Sequence, residues 1–306
     1  MEEEIFMTAY HNPVLLPQSI DGLRIKPDGV YVDVTFGSGQ SSSAILQQLG
    51  VEGRLFAFDQ DRDAQANIIP DERFTFIPAN FRYIKNYLLY HGVKQIDGIL
   101  GDLGVSSHQF DVAERGFSTR FNGPLDMRMD QNKSQKASDI IANYSEAELA
   151  NLFFRYGEIA NARRLAALLV QAREVRPICN TEDLREVTLQ CSPRNRENRY
   201  MAQVYQALRI EVNHEMEALE NLLLQSVDLL KPEGRLVIIS YHSLEDRMVK
   251  QFMRSGNLEG KEEKDFYGNS CSPFRMITRK AIVPDAEEIE RNNRSRSAKL
   301  RICEKK

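Results

Sequence analysis

The chain has 306 residues, 42% of them hydrophobic, and a formal net charge of -4, so it is long enough for one large domain or two modest ones and is not coated with basic charge. No apolar run is long enough to span a membrane, and the acidic start Met1-Glu2-Glu3-Glu4 lacks the basic stretch of a secretory signal. With four cysteines that form no C-x-x-C pair, the pattern predicts a soluble cytoplasmic protein with reduced thiols and no zinc site.

The first hundred residues alternate between strand and helix signals. Apolar runs predict four strands, at Val30–Val34, Arg54–Phe58, Phe74–Ile77 and Ile96–Leu100. Helical patterns lie between them, at Ser41–Leu49, Asp63–Ile69 and Phe81–His91. This alternation predicts a parallel sheet with right-handed crossovers.

The pattern then changes. From about Ser106 to Pro124 the chain looks irregular, and from about Ser138 to Cys191 only helices are indicated. Alternation of helix and strand signals then returns. One long helix or two are predicted at Tyr205–Leu230, a turn at Pro232–Gly234, a buried strand at Arg235–Ser240 and a helix at Leu244–Arg254. A closing antiparallel pair of strands is predicted at Phe274–Ile282 and Ala298–Ile302.

We therefore predict an α/β protein whose mostly parallel sheet is interrupted by an all-α insertion. The predicted sheet domain is discontinuous, covering 1–110 and 212–306, and the predicted helical domain covers 111–211.

A glycine-rich turn follows the first predicted strand. Asp33 precedes Gly37 and Gly39, and Asp59 follows the second strand about twenty residues later. Glycines allow a ligand to approach the backbone, and a carboxylate can accept hydrogen bonds from two ribose hydroxyls. A dinucleotide loop would have a third glycine where Ser42 stands, so the turn suits S-adenosylmethionine better than a nicotinamide cofactor. An ordinary strand-to-helix turn is the alternative.

The segment 98–107 places another acid, Asp102, at the end of a predicted central strand. The segment is rich in glycine and serine, so it would expose backbone amides and hydroxyls to a ligand. Ligands of open parallel sheets bind beyond the carboxyl ends of the strands, where Asp33, Asp59 and Asp102 all fall.

These residues and several later stretches resemble the RsmH (MraW) family, bacterial S-adenosylmethionine-dependent methyltransferases of small-subunit ribosomal RNA. The resemblance runs the length of the chain, in order through His11–Leu16, Asp33–Gly39, Asp102–Ser107 with Gln109, Arg115–Ser118, Pro124–Met129, Gln206–Ile210, Ser240–Arg247 and Arg294–Arg301.

The resemblance implies a class I methyltransferase, Rossmann-like, with an inserted helical domain that recognises RNA. It implies methylation of the N4 amine of a cytidine in the decoding region. The cofactor contacts that it implies are Gly39, Gln40, Ser41, Asp59, Phe81, Asp102 and Gln109. The chain departs from the family loop at one place, because Gln40-Ser41 stands where the family usually has Gly-His.

Direct in-line transfer needs no covalent intermediate, because the sulfonium methyl group is already activated. Sequence order favours Asp102, with Ser106 or Ser107, as acceptor for the cytosine amine. His242 follows a predicted strand and is a second candidate to take the proton, although a buried structural histidine fits the pattern equally well. The target base must be unpaired or flipped.

Clustered basic residues suggest contacts with ribosomal RNA or an assembled small subunit. They are Arg194, Arg196, Arg199 and Arg209 near the insertion, and Arg291, Arg294, Arg296, Lys299 and Arg301 near the C-terminus. The alternative is that these residues form ion pairs with neighbouring glutamates. For Arg163 and Arg164, ion pairing and RNA contact are equally favoured. Tyr144, Phe154 and Tyr156 are candidate stacking surfaces, although core packing suits each better. A homodimer is left open.

Three other functions remain as alternatives. A nicotinamide-dependent oxidoreductase would share the sheet and Asp59. A non-catalytic RNA-binding assembly factor would share the basic residues. A methyltransferase of a small molecule would not need the basic C-terminal stretch.

Overall fold

The structure is a computed structural model that describes residues 13–306. His11 and Asn12, at the start of the first stretch of the family resemblance, lie outside the described residues. Within 13–306, none of the helices is long and apolar enough to cross a membrane. All four cysteines are free thiols.

The strands form a seven-stranded sheet. They are β1 (Val30–Asp33), β2 (Arg54–Phe58), β3 (Phe74–Ile77), β4 (Ile96–Asp102), β5 (Leu230–Ser240), β6 (Phe274–Met276) and β7 (Lys299–Lys305). Their order is β3-β2-β1-β4-β5-β7-β6. Neighbours from β3 to β5 pair in parallel, whereas β7 runs antiparallel to both β5 and β6. The predicted parallel strands and the closing antiparallel pair are confirmed.

The α-helices are α1 (Leu16–Leu23), α2 (Gln40–Gln48), α3 (Ile84–Tyr90), α4 (Ser107–Asp111), α5 (Ala137–Asn143), α6 (Glu146–Gly157), α7 (Ala162–Val175), α8 (Thr181–Leu189), α9 (Glu197–Asn213), α10 (Glu215–Leu229), α11 (Ser243–Ser255) and α12 (Ala286–Arg291). Short 3-10 helices lie at Arg62–Asn67, Phe81–Tyr83, Ala113–Arg115 and Asn293–Ser297.

Helices cover both faces of the sheet because successive strand side chains point to opposite faces. Tyr31 and Leu55 pack in one core with residues of α1 and α2. Val32 and Phe56 pack in a second core with residues of α3, α10 and α11. Burial on both faces explains why these strands are almost continuously apolar in sequence.

The chain divides into two compact units. The methyltransferase-like unit comprises the chain up to Gly104 and from Glu217 onward, and the helical unit comprises Val105–Met216. The helical unit therefore begins before the predicted position 111 and ends after 211. It begins earlier because Val105 and Phe110 already pack against the helical core, and it ends later because α9 continues to Asn213.

The segment 106–124 is less irregular than predicted. It contains α4, whose first turn is closed by a capping box between Ser106 and Gln109. The Ser-x-x-Gln spacing of a capping box was readable from the sequence. The prediction missed it because the helix is five residues long and carries too little apolar periodicity to be detected.

Two other elements differ in detail. The predicted turn at Pro232–Gly234 lies inside β5, where Glu233 has a φ of 66° and the register against β4 shifts between Ile96 and Gly98. The segment 205–230, predicted as one helix or two, is divided between α9 and α10 by His214, which has a φ of 52°.

A buried ion pair fixes α11 to β7. The Arg301 Nε donates to Asp246 Oδ1 at 2.7 Å, and the Lys299 Nζ donates to Asp246 Oδ2 at 3.1 Å. The Arg301 side chain is only 7% exposed, so Asp246 is its compensating charge. These contacts hold the pKa of Asp246 below its ordinary value despite burial, which by itself raises it.

We expect Asp246→Ala to lower the free energy of unfolding by about 3–5 kcal/mol, because it leaves Arg301 buried without its partner. Denaturant unfolding measures the change. The matched control is Glu287→Ala, which breaks an exposed pair with Arg291 at 3.8 Å and should cost less than about 1 kcal/mol. Equal losses from the two variants would contradict the expectation.

Candidate active site in the sheet crevice

Three carboxyl groups lie at the carboxyl ends of neighbouring parallel strands. Asp33 ends β1 and pairs in register with Leu100 of β4 and Ala57 of β2. Asp59 follows β2, and Asp102 ends β4 opposite Ile239 of β5. The sheet therefore gathers at one edge the three acids that lie far apart in sequence.

The two glycines of the turn after β1 have left-handed backbone conformations. Gly37 has a φ of 51° and Gly39 a φ of 77°. A Cβ at Gly39 would also lie 3.0 Å from the Phe36 ring, which is itself buried against Phe74 and Phe76. Gly39 is thus required both for backbone conformation and for space.

Asp59 ties this turn to the end of β2. Its Oδ2 accepts from the Gly37 N–H at 2.8 Å, and its Oδ1 accepts from the Asp61 N–H at 2.8 Å. Each carboxylate oxygen has two lone pairs, so each keeps one for a further donor. Burial raises the pKa of Asp59 to about 6.

Asp33 has an internal role. It is 1% exposed, and its carboxylate accepts from Ser42 Oγ at 2.8 Å and from the Thr35 N–H at 3.1 Å. Thr35 Oγ1 in turn accepts from the Asp102 N–H at 2.7 Å. Burial raises the pKa of Asp33, and its charge contributes to raising those of Asp59 and Asp102.

Tyr241 joins Asp102 at this edge, a residue that the sequence analysis did not single out. Its hydroxyl donates to Asp102 Oδ1 at 2.8 Å. Burial raises the pKa of Asp102 to about 7, although the tyrosine hydrogen bond lowers it. The available signal was the position of Tyr241 directly after the buried strand that ends at Ser240.

The remaining predicted cofactor residues of this unit lie at the same edge. Gln40 and Ser41 open α2, directly after the glycine turn. The Gln40 Oε1 is buried and has no hydrogen-bond partner among residues 13–306. Phe81 follows β3 and is partly buried against the core; Asn80 beside it donates to Gln60 Oε1 at 2.8 Å, joining the loops after β3 and β2.

Ser106 and Gln109 belong to the helical unit, where each completes the capping box of α4. The Ser106 Oγ accepts from the Gln109 N–H at 3.2 Å, and the Gln109 Oε1 accepts from the Ser106 N–H at 3.1 Å. Gln109 is 5% exposed. This structural role accounts for both residues locally, and their roles in catalysis and cofactor binding stay predictions.

His242 caps α11. Its Nδ1 accepts from the Glu245 N–H at 3.4 Å. Its Nε2 lies 3.2 Å from Glu245 Oε1, but it is buried and makes no hydrogen bond among residues 13–306. The geometry gives His242 the structural role that the sequence allowed as an alternative, and its catalytic role stays a prediction.

Several other basic and aromatic candidates have structural roles. Arg209 forms a bidentate ion pair with Glu215 at 2.8 and 2.9 Å, and Arg301 and Lys299 pair with Asp246. The Tyr144 hydroxyl donates to Glu211, whereas Phe154 is 65% exposed and so is not core. Burial and pairing thus remove Arg209 and Arg301 from the candidate RNA contacts.

Five other arginines form an exposed cluster in the helical unit, and none of them is ion-paired within 13–306. They are Arg163, Arg164, Arg194, Arg196 and Arg199. Asn161 joins the two segments that carry them: its Nδ2 donates to the Cys191 carbonyl at 2.9 Å, and its Oδ1 accepts from the Tyr200 hydroxyl at 2.8 Å.

The sheet order, with β7 antiparallel between β5 and β6, defines the class I methyltransferase form of the Rossmann-like fold. The glycine turn and Asp59 stand where that fold binds its nucleotide ligand. The chain belongs to the MraW methylase family, whose sequence profile matches residues 8–306.

Curated relatives match almost the whole chain. It is 59% identical to a ribosomal RNA small subunit methyltransferase H of Flavobacterium johnsoniae, over 97% of this chain and 98% of that protein. It is 57% identical to the protein of the same name from Bacteroides thetaiotaomicron, over 97% and 98%. An rRNA methylase structure from Streptococcus thermophilus is 14% identical, with a TM-score of 0.40 over 94% of each chain, and adds nothing to the topology above.

We expect Asp102→Asn to change how stability depends on pH. The pKa of Asp102 is raised from 3.8 to about 7, so its stabilising protonated form is fully present below about pH 4 and is lost as the pH rises through about 7. The amide keeps an oxygen for the Tyr241 hydroxyl and cannot ionise. Between pH 5 and pH 8 the difference in unfolding free energy between the ligand-free variant and the wild type should therefore change by about 1–3 kcal/mol in favour of the variant.

Denaturant unfolding at several pH values measures this difference. The exposed Asp21→Asn is the control and should leave the wild-type pH profile unchanged. Profiles that are parallel for wild type and Asp102→Asn would contradict the expectation.

Proposed function

We propose that this chain transfers a methyl group from S-adenosylmethionine to the N4 amine of a cytidine in small-subunit ribosomal RNA, in the cytoplasm. The observation that carries the proposal is the cluster of Asp59, Asp102 and the Gly37–Gly39 turn at the carboxyl edge of the sheet. Relatives at 54–59% identity carry the name of a small-subunit ribosomal RNA methyltransferase, which supports the substrate. The position of the base and the N4 atom rest on the family resemblance.

The residues at this edge fit S-adenosylmethionine, which supplies an electrophilic methyl group on a positively charged sulfur. Asp59 keeps two lone pairs for ribose hydroxyls, and the buried Gln40 Oε1 offers an acceptor with no partner among the described residues. Buried carboxyl groups with raised pKa values favour a cationic ligand, because its charge offsets their desolvation. Phe81 supplies an aromatic surface beside the same loops.

Asp102 is the residue that we assign to the target amine. Its Oδ1 is oriented by the Tyr241 hydroxyl, while Oδ2 can accept an amine N–H and so direct the nitrogen lone pair away from the ring. With a pKa of about 7, the carboxyl group can also take the proton that the amine loses. The catalytic role of Ser106 stays a prediction, and its capping hydroxyl can still donate its own proton.

Transfer is direct, without a covalent enzyme intermediate. Cys303 is fully buried in β7, where burial raises the pKa of its thiol, and the exposed Cys271 lies just before β6, at the opposite edge of the sheet from the acids. The work of the protein is therefore to position the amine, to exclude water and to hold the proton.

The helical unit, in this proposal, binds the RNA backbone. Its five exposed arginines can make bidentate contacts with phosphates, and Asn161 holds the segments that carry them together. Their position in a chain with a net charge of -4 concentrates positive potential on this surface.

We expect Asp59→Asn to weaken S-adenosylmethionine binding at least about tenfold, because a charge-assisted hydrogen bond to a ribose hydroxyl is worth about 1.5–3 kcal/mol. Calorimetric titration measures the affinity. The control is Asp63→Asn in the same loop, which should bind like the wild type. Wild-type affinity in Asp59→Asn would contradict the assignment. If the wild type bound nicotinamide cofactors instead, an oxidoreductase would be favoured. If it bound none of these cofactors, a non-catalytic RNA-binding factor would be favoured.

We expect the triple variant Arg194→Gln, Arg196→Gln, Arg199→Gln to bind small-subunit ribosomal RNA about tenfold or more weakly at ~0.1 M salt, with a shallower salt dependence. Filter binding across a salt series measures both. The control is Arg176→Gln, whose guanidinium is already paired with Asp183 and Glu186 at 3.0 Å. An unchanged salt slope in the triple variant would rule out phosphate contacts at this cluster.

A further inference from the structure

Two aromatic rings project from the methyltransferase-like unit into solvent. Phe266 is 98% exposed and Tyr267 is 86% exposed. Their rings pack edge to face, with centroids 5.7 Å apart and planes at 87°. They lie at the end of a loop between α11 and β6, residues 264–270, which is closed by a bridge between Lys264 and Ser270 and which we name the tip loop.

The tip loop is held in one conformation by Asp265. Its Oδ1 accepts from the N–H groups of Tyr267 and Asn269, both at 2.8 Å, and its Oδ2 accepts from the Asn269 Nδ2 at 3.0 Å. The Asp265 N–H donates to the Asn269 carbonyl at 2.9 Å, and Gly268 takes a φ of 84°. The rings are therefore presented by an ordered turn, which reduces the entropy that a partner would have to overcome.

Beside the tip loop lies an arginine cluster with excess positive charge. Glu304 of β7 is the acid at its centre, with a side chain only 6% exposed. Arg235 pairs with it at 2.7 Å, Arg24 lies 3.9 Å away, and Arg275, in register on β6, also donates to it. One carboxylate thus faces three guanidinium groups, and the Arg24 and Arg275 side chains are each 65% exposed.

The tip loop and the arginine cluster belong to one surface. Lys306 joins them, since its N–H donates to the Pro273 carbonyl at 2.9 Å and its Nζ donates to the Ser270 carbonyl at 3.1 Å. β6 runs parallel to β5, because both are antiparallel to β7. The loop that enters β6 therefore lies at the amino ends of the parallel strands, away from Asp59 and Asp102.

We propose that this surface binds a second segment of ribosomal RNA, with an unpaired base stacked on one open ring face of the Phe266–Tyr267 pair and phosphates bound by Arg24 and Arg275. The inference rests on ribosomal RNA as the substrate. Open ring faces suit base stacking, and the uncompensated guanidinium charge suits phosphates, whereas an apolar pocket on a protein would gain nothing from that charge. A contact so far from the crevice requires a long, folded RNA.

The test replaces the rings while keeping their apolar bulk. We expect Phe266→Leu with Tyr267→Leu to bind protein-free small-subunit ribosomal RNA at least about fivefold more weakly, since a stacked base is worth about 1–3 kcal/mol. Fluorescence anisotropy measures the affinity. The variant Phe266→Tyr with Tyr267→Phe keeps both rings and should bind like the wild type. So should Tyr90→Leu, which removes an equally exposed ring, 85%, on α3.

Arg24→Gln tests the phosphate contact separately. We expect weaker binding of the same RNA and a salt slope reduced by about one, because one phosphate contact is lost. Arg235 and Arg275 still compensate Glu304 in this variant, so the fold is retained.

Wild-type RNA affinity in the double leucine variant would overturn the inference. If that variant bound free RNA normally but bound assembled small subunits more weakly, the rings would contact a protein, which would overturn it as well. A wild-type protein that neither bound nor methylated ribosomal RNA would overturn the proposed function too. Intact methylation by the wild type together with unchanged binding by the variants would overturn this inference alone.

Discussion

The rest of the structure depends on the burial of carboxyl groups at the carboxyl ends of β1, β2 and β4. A carboxyl group taken out of water must be hydrogen-bonded. Asp33 takes its donors from Thr35 and Ser42, which follow it in the same β1–α2 segment. Asp59 and Asp102 each take a donor from another loop, the Gly37 N–H and the Tyr241 hydroxyl, and so tie the loops together. The crevice is built as one network, so its loops cannot shift independently.

This network is also electrostatically strained in the absence of ligand. Burial raises the pKa of each acid, and Asp33 adds like charge to the other two. Both effects lower the stability of the fold at neutral pH, and a cationic cofactor would relieve them. Binding sites commonly sacrifice stability for function in this way. The same physics explains why Tyr241 matters: its hydroxyl donates to Asp102 and so offsets part of the desolvation of that carboxyl group.

Many residues of the family resemblance prove to be structural. Asp126 and Arg128 form a bidentate pair, and the buried Asn213 donates to the Met127 carbonyl at 2.7 Å and accepts from the Met129 N–H at 2.7 Å. These contacts organise the long segment before α5 within the helical unit. Gln206 likewise donates to the Tyr156 carbonyl at 2.8 Å. A motif can therefore mark a packing constraint as readily as a catalytic residue.

The sequence by itself determined the strands of the parallel sheet, the glycine turn and the position of the acids, because apolar runs and turn-forming glycines are local features of a sequence. It also indicated a helical interruption, but not its boundaries, which depend on how Val105 and α9 pack. Only the tertiary structure decided which charged side chains form ion pairs within the protein. Arg209 and Arg301 look like functional candidates in the sequence, yet they pair with Glu215 and Asp246. His242 looks like one too, and its Nδ1 caps α11. Tyr241, Arg24 and Arg275 gain their roles only through strand pairing and packing between residues distant in the chain.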